Sequence, residues 1–279
     1  MARKMITVIF TCYNRLDKTA NCIRSLTEGN PSLNLSFVIL DDGSTDGTAE
    51  QLDGYKKNGM DIQILHGDGN SFWAGGMRKA IAYAKQNADA DYYLLVNDDV
   101  DFYPGSIEEM ICEYESQNKE RTGLALVGAT CDENGTFTYG GLRYDRGIHY
   151  EEVTPEQTDR SCDSFNMNCL LLDKKTFSRT ANLDEHYIHS LADFDYGLHM
   201  KKQGVVILTA PFYVGVCKKN DPAGTWLDRS LSRRERLKKK ESPKGAPLGP
   251  WFYFLHKNFG LGQALLHGFT PYFRIILGK

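Results

Sequence analysis

Four short apolar runs rich in Val, Ile and Leu, residues 5–11, 35–40, 62–65 and 92–96, each pass directly into a polar loop. The segments between them have helical spacing: Leu16, Ala20, Ile23 and Leu26 or Thr27 share one face, and Ala74, Met77, Ile81 and Ala84 share another. Continuous apolar runs suit strands covered on both faces, and their alternation with helices specifies a sheet with crossover connections. The expected fold class is therefore α/β, with a Rossmann-like, mostly parallel central sheet flanked by helices. Ligands of such sheets lie beyond the carboxyl ends of the strands. The loops in that position read "TCYNR", "DDGSTDGT", "HGDGN" and "NDDVD", and all of them would converge on one edge.

A formal charge of −3 over 279 residues gives no global attraction to nucleic acid, so no nucleic-acid partner is expected. The seven cysteines (Cys12, Cys22, Cys112, Cys131, Cys162, Cys169, Cys217) are odd in number, spread out and lack a CxxC pair. This pattern fits reduced thiols and argues against a zinc site. Cys169, inside "NCLLL", reads as core. The amino end, "MARKMITVIFTCYNR", lacks the apolar segment and cleavage site of a signal peptide. No stretch approaches the roughly 18 to 20 consecutive apolar residues of a spanning helix. A cytoplasmic location is expected.

From Gly123 the runs shorten. Strands are expected at 124–129, 135–139, 166–172 and 205–209, with a helix over 193–203 stopped by Gly204. The stretch "YEEVTPEQTDRSCDS", residues 150–164, reads as a mobile loop. The expected domain division is 1–217, with a nucleotide-binding half to about 103 and an acceptor half after it, followed by a basic and aromatic helical extension over 218–279.

Asn97, Asp98 and Asp99 follow the most apolar run, and adjacent carboxylates at a strand end call for a cation or donor. Hard oxygen donors of this kind suit magnesium or manganese bound to a substrate diphosphate; a polar turn capping the next helix is the alternative. Asp41 and Asp42 can accept from a base N–H or ribose hydroxyls, as the acid of a dinucleotide site does. In "GDGNSFWAGGMRKA" the glycines permit close approach of a ligand before a helix that begins near Trp73 or Ala74. Asp193 and Asp195 fall in a helix's first turn, where the dipole favours them, and an ionised Asp at a pocket edge also suits a general base. His186, His189 and His199 match no metal-binding pair, and no nucleophile motif supports covalent catalysis.

Together, "VIFTCYNRLDKTANCIRSL", "VILDDGSTDGT", "GNSFWAGGMRKAI", "YLLVNDDVDFYPGSI" and "ADFDYGLHMKKQG" resemble the family 2 glycosyltransferases of GT-A fold, in the manner of bacterial rhamnosyltransferase-like members. The resemblance covers about residues 5–211. It implies that Thr11 and Tyr13 flank the nucleotide, that Asp42 with Asp41 binds base and ribose, and that Asn70, Gly75 and Gly76 line the donor. It further implies Asp98 near the ribose and diphosphate, Asp99 with Asp98 as ligands of a manganese or magnesium ion, Asp193 as the base and Asp195 as its companion acid. The sequence departs from the family's pattern at Ala192, where a Glu is usual. A His after the strand that follows the base helix is missing, and His199 stands where an Arg is common.

The expected reaction moves a sugar, with inversion, from a UDP-, dTDP- or GDP-linked donor to a glycan or lipid-linked acceptor in surface polysaccharide or glycolipid assembly. The alternatives are a non-catalytic nucleotide-sugar binder and a sugar nucleotidyltransferase, although "FTCYNRLDKT" lacks the basic, glycine-rich loop the latter needs. The basic tail, with Arg229, Arg233, Arg234, Arg236, Lys238, Lys239 and Lys240 beside an aromatic stretch, is expected to offer peripheral membrane contact.

Overall fold

The computed structural model describes residues 3–118, 123–145 and 147–279. Its first part alternates β1 (Met5–Cys12), α1 (Leu16–Gly29), β2 (Asn34–Asp41), α2 (Thr48–Lys57), β3 (Ile62–His66), α3 (Phe72–Asn87) and β4 (Tyr92–Val96). These strands pair in parallel in the order β3-β2-β1-β4. Cys12 lies opposite Asp41, and Asp41 opposite His66, so the strands end level and deliver their loops to one edge. Ala74, Met77, Ile81 and Ala84 of α3 are all buried, as their spacing predicts. On α1 the buried face is Thr19, Cys22, Ile23 and Leu26, while Ala20 is only half-buried. The helix is turned because Thr19 and Cys22 donate to Asp98 and to the Asn97 carbonyl at the end of β4.

Beyond β4 the pairing is mixed. The chain continues through β5 (Asp101–Phe102), α4 (Ser106–Gln117), β6 (Leu124–Cys131), β7 (Phe137–Tyr139), β8 (Gly141–Tyr144), β9 (Tyr150–Val153), β10 (Ser164–Phe165), β11 (Cys169–Asp173), α5 (Lys174–Arg179), α6 (Ala192–Lys202) and β12 (Val206–Val216). β11 inserts antiparallel between β4 and β6, β12 runs parallel to β6, and β5 closes the edge. The 150–164 stretch is strand at its two ends, β9 and the first residue of β10, and irregular over 154–163 apart from a single bridge between Ser161 and Leu208. β9 and β10 flank β8 in a separate sheet, and Arg143 fastens the chain between them by donating to the Asp159 and Ser161 carbonyls.

The tail forms α7 (Arg233–Lys240), α8 (Leu248–Phe259), α9 (Leu261–His267) and α10 (Thr270–Ile276). Its basic cluster is not uniformly solvated. Arg236 is buried, donating to the Trp226 and Lys279 carbonyls, and Lys240 is buried over the Trp226 and Tyr272 rings, where burial pushes its pKa down to about 8.

Gly76 sets how closely α3 lies on β1: a Cβ there would meet Thr11 Oγ1 at 2.3 Å and Thr11 Cβ at 2.8 Å. Gly76→Ala should therefore destabilise the fold by about 1–3 kcal/mol in urea titration, the usual cost of overpacking.

Candidate active site

The strand-end loops are laced together by carboxylates. Asp42, 3% exposed, accepts from the backbone N–H groups of Gly69, Ser71 and Phe72, so both of its oxygens hold the loop that opens α3. Asp41 is equally buried, but its recorded hydrogen bonds, from Ser44 N–H and weakly from the Cys12 thiol, all fall on Oδ1. Asp46 accepts from Leu16 N–H and from Thr48, and Asn14 pairs with Ser44 and Thr45, which ties the first loop to the second. The Tyr13 ring stands half exposed at the end of β1, while Thr11 is buried and donates to the Leu40 carbonyl. Asn70 is exposed at its loop tip, bonded only within its own turn to Asp68. Gly75 and Gly76 are buried in the opening turns of α3. The N–H groups that open this helix are engaged: Phe72 to Asp42, Trp73 to His189 Nδ1 and Ala74 to the Ile188 carbonyl.

At the end of β4 the Arg15 guanidinium forks onto the acid pair, with Nη1 2.7 Å from Asp98 Oδ1 and Nη2 2.8 Å from Asp99 Oδ2. Thr19 donates to the other Asp98 oxygen, and the Lys18 ammonium lies 3.7 Å from Asp99 Oδ2. Asp98 is 2% exposed, and burial pushes its pKa up to about 6 despite the guanidinium. Asp99 Oδ1 meets only the Cys217 thiol, at 3.8 Å, and burial beside Asp99 pushes that thiol up to about 12, so it is protonated at neutral pH. Cys217 thus occupies the place next to the acid pair, in the stretch where the resemblance leads one to look for a His. Asn97 takes a different part from its neighbours: its side chain accepts from the Trp73 indole at 2.8 Å, which joins β4 to α3. Among the described residues no group of three His, Cys, Asp or Glu could hold a metal ion. The donors nevertheless fit a small hard cation, because magnesium-type sites use one or two carboxylates and complete their shell with water and substrate phosphates. A depression of about 450 Å³, lined by Asn14, Arg15, Leu16, Asp17, Lys18 and Asp46, opens beside the fork.

Asp193 and Asp195 share the first turn of α6 but sit in contrasting surroundings. Asp193 has a partly exposed surface and accepts from Phe194 N–H, and its confinement pushes its pKa up to about 6. It lies against the Met167 backbone, and the next residue, Asn168, accepts from Asn97 N–H at 3.2 Å, so one short turn separates it from the loop of Asp98 and Asp99. Asp195 is 2% exposed and fully engaged, by Lys257 Nζ at 2.7 Å, Asn258 Nδ2 at 2.7 Å and the Tyr187 hydroxyl at 3.2 Å. The same ammonium reaches Asp184 at 2.7 Å, so α8 clamps the start of α6 to the segment before it. Arg78 holds that segment from the other side through the Asp184 and Tyr187 carbonyls. Asn14, Phe72 and Leu191 adopt positive φ, and each opens a turn at the rim of this region. Such conformations cost about 1–3 kcal/mol each and persist only where surrounding contacts enforce them.

The description "Glycosyl transferase family 2" matches residues 7–167, more than half of the chain. The chain belongs to that family. The match spans the loops that follow β1, β2, β3 and β4, with Asp41, Asp42, Asp98 and Asp99, and ends before α6, so Asp193 and Asp195 lie beyond it. The N-acetylglucosaminyl-diphospho-decaprenol L-rhamnosyltransferase of Mycobacterium tuberculosis is 23% identical over 203 residues, covering 63% of this chain and 64% of that protein. The hyaluronan synthase of Streptococcus pyogenes is 29% identical over 126 residues, covering 44% of this chain and 29% of the synthase. The chain thus spans less than two thirds of the length of either relative. Among solved structures, mannosyltransferase PcManGT from Pyrobaculum calidifontis, in complex with GDP-Man and Mn2+, matches with TM-score 0.60 at 12% identity, covering all of this chain and 74% of that one. S. aureus TarS 1–349 with UDP-GlcNAc matches at TM-score 0.56 and 12% identity, covering 99% of this chain and 72% of that one. These likenesses show the GT-A fold, with a helical C-terminal region.

Arg15, Thr19, Trp73, Arg78, Asn258 and Lys257 are among the site residues that spacing alone did not single out, while His189, weighed from the sequence only as a metal ligand, accepts from the Trp73 N–H. Removing Lys257 would strand two carboxylates. Lys257→Met should cost roughly 2–4 kcal/mol in urea unfolding, somewhat below the value for a fully buried pair because the ammonium is a quarter exposed.

Proposed function

We propose that this family 2 glycosyltransferase transfers a sugar, with inversion, from a nucleoside-diphosphate donor to an acceptor hydroxyl. The observation that carries the reading is Asp193: a carboxylate without a cationic partner among the described residues, raised to about 6 and one turn from the Asp98–Asp99 loop. An ionised carboxylate with that pKa is a competent general base at neutral pH. Asp193 takes the acceptor hydroxyl proton while the oxygen forms its bond to the anomeric carbon. The bond from that carbon to the diphosphate oxygen breaks on the opposite face, and the nucleoside diphosphate departs with the electron pair. A single displacement of this kind requires no enzyme nucleophile.

Asp195, held by Lys257 and Asn258, positions the turn that carries Asp193. Tyr13 offers its exposed ring to the base, and Asp41, with Oδ2 free of recorded partners, accepts from base or ribose, while Asp42 holds the loop that carries Asn70. Thr11 with Gly75 and Gly76 shapes the floor of the donor site. Arg15 and Lys18 supply standing positive charge at the diphosphate. A manganese or magnesium ion held by Asp99 with Asp98 would add further charge neutralisation for the leaving diphosphate.

UDP-, dTDP- and GDP-linked donors all suit this arrangement, and the rhamnosyltransferase relative favours a hexosyl or rhamnosyl donor and a lipid-linked glycan acceptor. Such a donor and acceptor would support a role in bacterial surface polysaccharide or glycolipid assembly. Seven free cysteines favour a reducing, cytoplasmic setting.

The test is transfer measured across a donor panel. Asp193→Asn should lower kcat at least 100-fold while nucleotide affinity stays within about twofold, as expected for loss of a general base. Binding without turnover in the unaltered protein would instead identify a nucleotide-sugar binder. The pH profile provides a second prediction. The base acts only when deprotonated, so kcat/KM should fall tenfold per unit below about pH 6. Nucleotide affinity measured over the same range separates this loss from protonation of Asp98.

A further inference from the structure

Helices α9 and α10 are apolar on both faces. Ala264, Gly268, Pro271 and Ile275 form a buried stripe against the protein. On the outer face Leu265, Leu266, Phe269, Phe273, Ile276 and Leu277 are 47–69% exposed, and Leu261 extends the row. Seven of the thirteen exposed large apolar residues among the described residues fall in this short segment. A helix that is apolar all round is ordinarily covered on both sides, and a concentrated exposed patch marks a docking face.

The charge around it says what covers it. Residues 229–279 carry eleven Lys and Arg against only Glu235 and Glu241, although the whole chain has a net charge of −3. No Asp or Glu follows Glu241. The basic helix α7 lies directly beside α10, joined through Arg236 to the Lys279 carbonyl and through Lys240 over the Tyr272 ring. Arg233, Arg234, Lys238 and Lys239 on α7 and Arg274 on α10 remain exposed. We propose that the outer face of α9–α10, with the exposed cations of α7, docks the protein onto an anionic lipid bilayer.

Apolar side chains entering the acyl boundary beside Lys and Arg at the headgroups are the recurring pattern of interfacial helices. Two copies pairing through this face would set like charges against each other, which disfavours a second chain as the occupant. The aromatic run that opens α8 takes no part. Phe254 is buried, and Trp251 and Tyr253 pack on Phe254 and His186. Among the described residues no helix has the length and apolarity to cross a membrane. The inference stands on surface and charge, independently of the proposed reaction.

The experiment is flotation of the full chain with vesicles of phosphatidylglycerol and phosphatidylcholine, against vesicles of phosphatidylcholine alone. Binding is expected to the anionic vesicles at least tenfold above the neutral ones, and to weaken with salt. Phe273→Glu with Leu265→Glu should lower it at least tenfold, and Lys238→Glu with Lys239→Glu should remove the preference for anionic lipid. Both pairs are exposed, so thermal melting is expected to be unchanged and confirms that each variant folds. Absence of binding to anionic vesicles would overturn the proposal. So would a dimer at micromolar concentration that Leu266→Glu dissociates, which would assign the face to a second copy.

Discussion

Asp41, Asp42, Asp98 and Asp195 are each 3% exposed or less, and buried carboxylates persist only when donors or cations answer them. The rest of the architecture follows from how each is answered. Asp42 is satisfied by backbone N–H groups and so fixes the loop into α3. Asp98 is answered by Arg15 and Thr19, which binds the first loop and α1 to the end of β4. Asp195 is answered from α8, far along the chain, by Lys257 and Asn258. Parallel strands ending in register bring the first two pairs of acids to one edge. The antiparallel insertion of β11 then places the Met167–Asn168 turn between that edge and α6.

This pattern separates acids whose oxygens are all engaged within the fold from acids with an oxygen that no strong protein donor meets. Asp42 and Asp195 have both oxygens occupied by protein donors, so their first effect is on geometry. Asp193 has only backbone donors and a raised pKa, and Asp99 keeps one oxygen facing no stronger donor than a protonated thiol. The C-terminal helices are therefore coupled to the site through Lys257, whose ammonium joins α8 to both Asp184 and Asp195. A tail that met a membrane on its outer face, as proposed, would hold α6 at a fixed height above the lipid.

Much of this was legible in the sequence. The apolar runs and helical spacing give the parallel half of the sheet and the inward face of α3, because both depend on local periodicity. The polar residues after each run identify the edge. What periodicity could not supply was pairing over long separations. Arg15 reaches across 83 residues to Asp98, and Lys257 across 62 to Asp195. The strand at 150–153 was hidden because its polar residues are held by pairing with β8 rather than by their own apolar pattern. The turned face of α1 was missed for a related reason: Thr19 and Cys22 are buried as donors to strand-end acceptors, and a hydrophobic count does not register them.

The most direct measurement is calorimetric titration of UDP, dTDP and GDP, with and without manganese, into the unaltered protein and Asp99→Ala. At least one nucleoside diphosphate should bind, manganese should tighten it, and Asp99→Ala should weaken it at least tenfold and abolish the effect of manganese. No binding of any of the three, or equal affinity in the variant, would contradict the assignment of the Asp98–Asp99 edge to a metal-bound diphosphate.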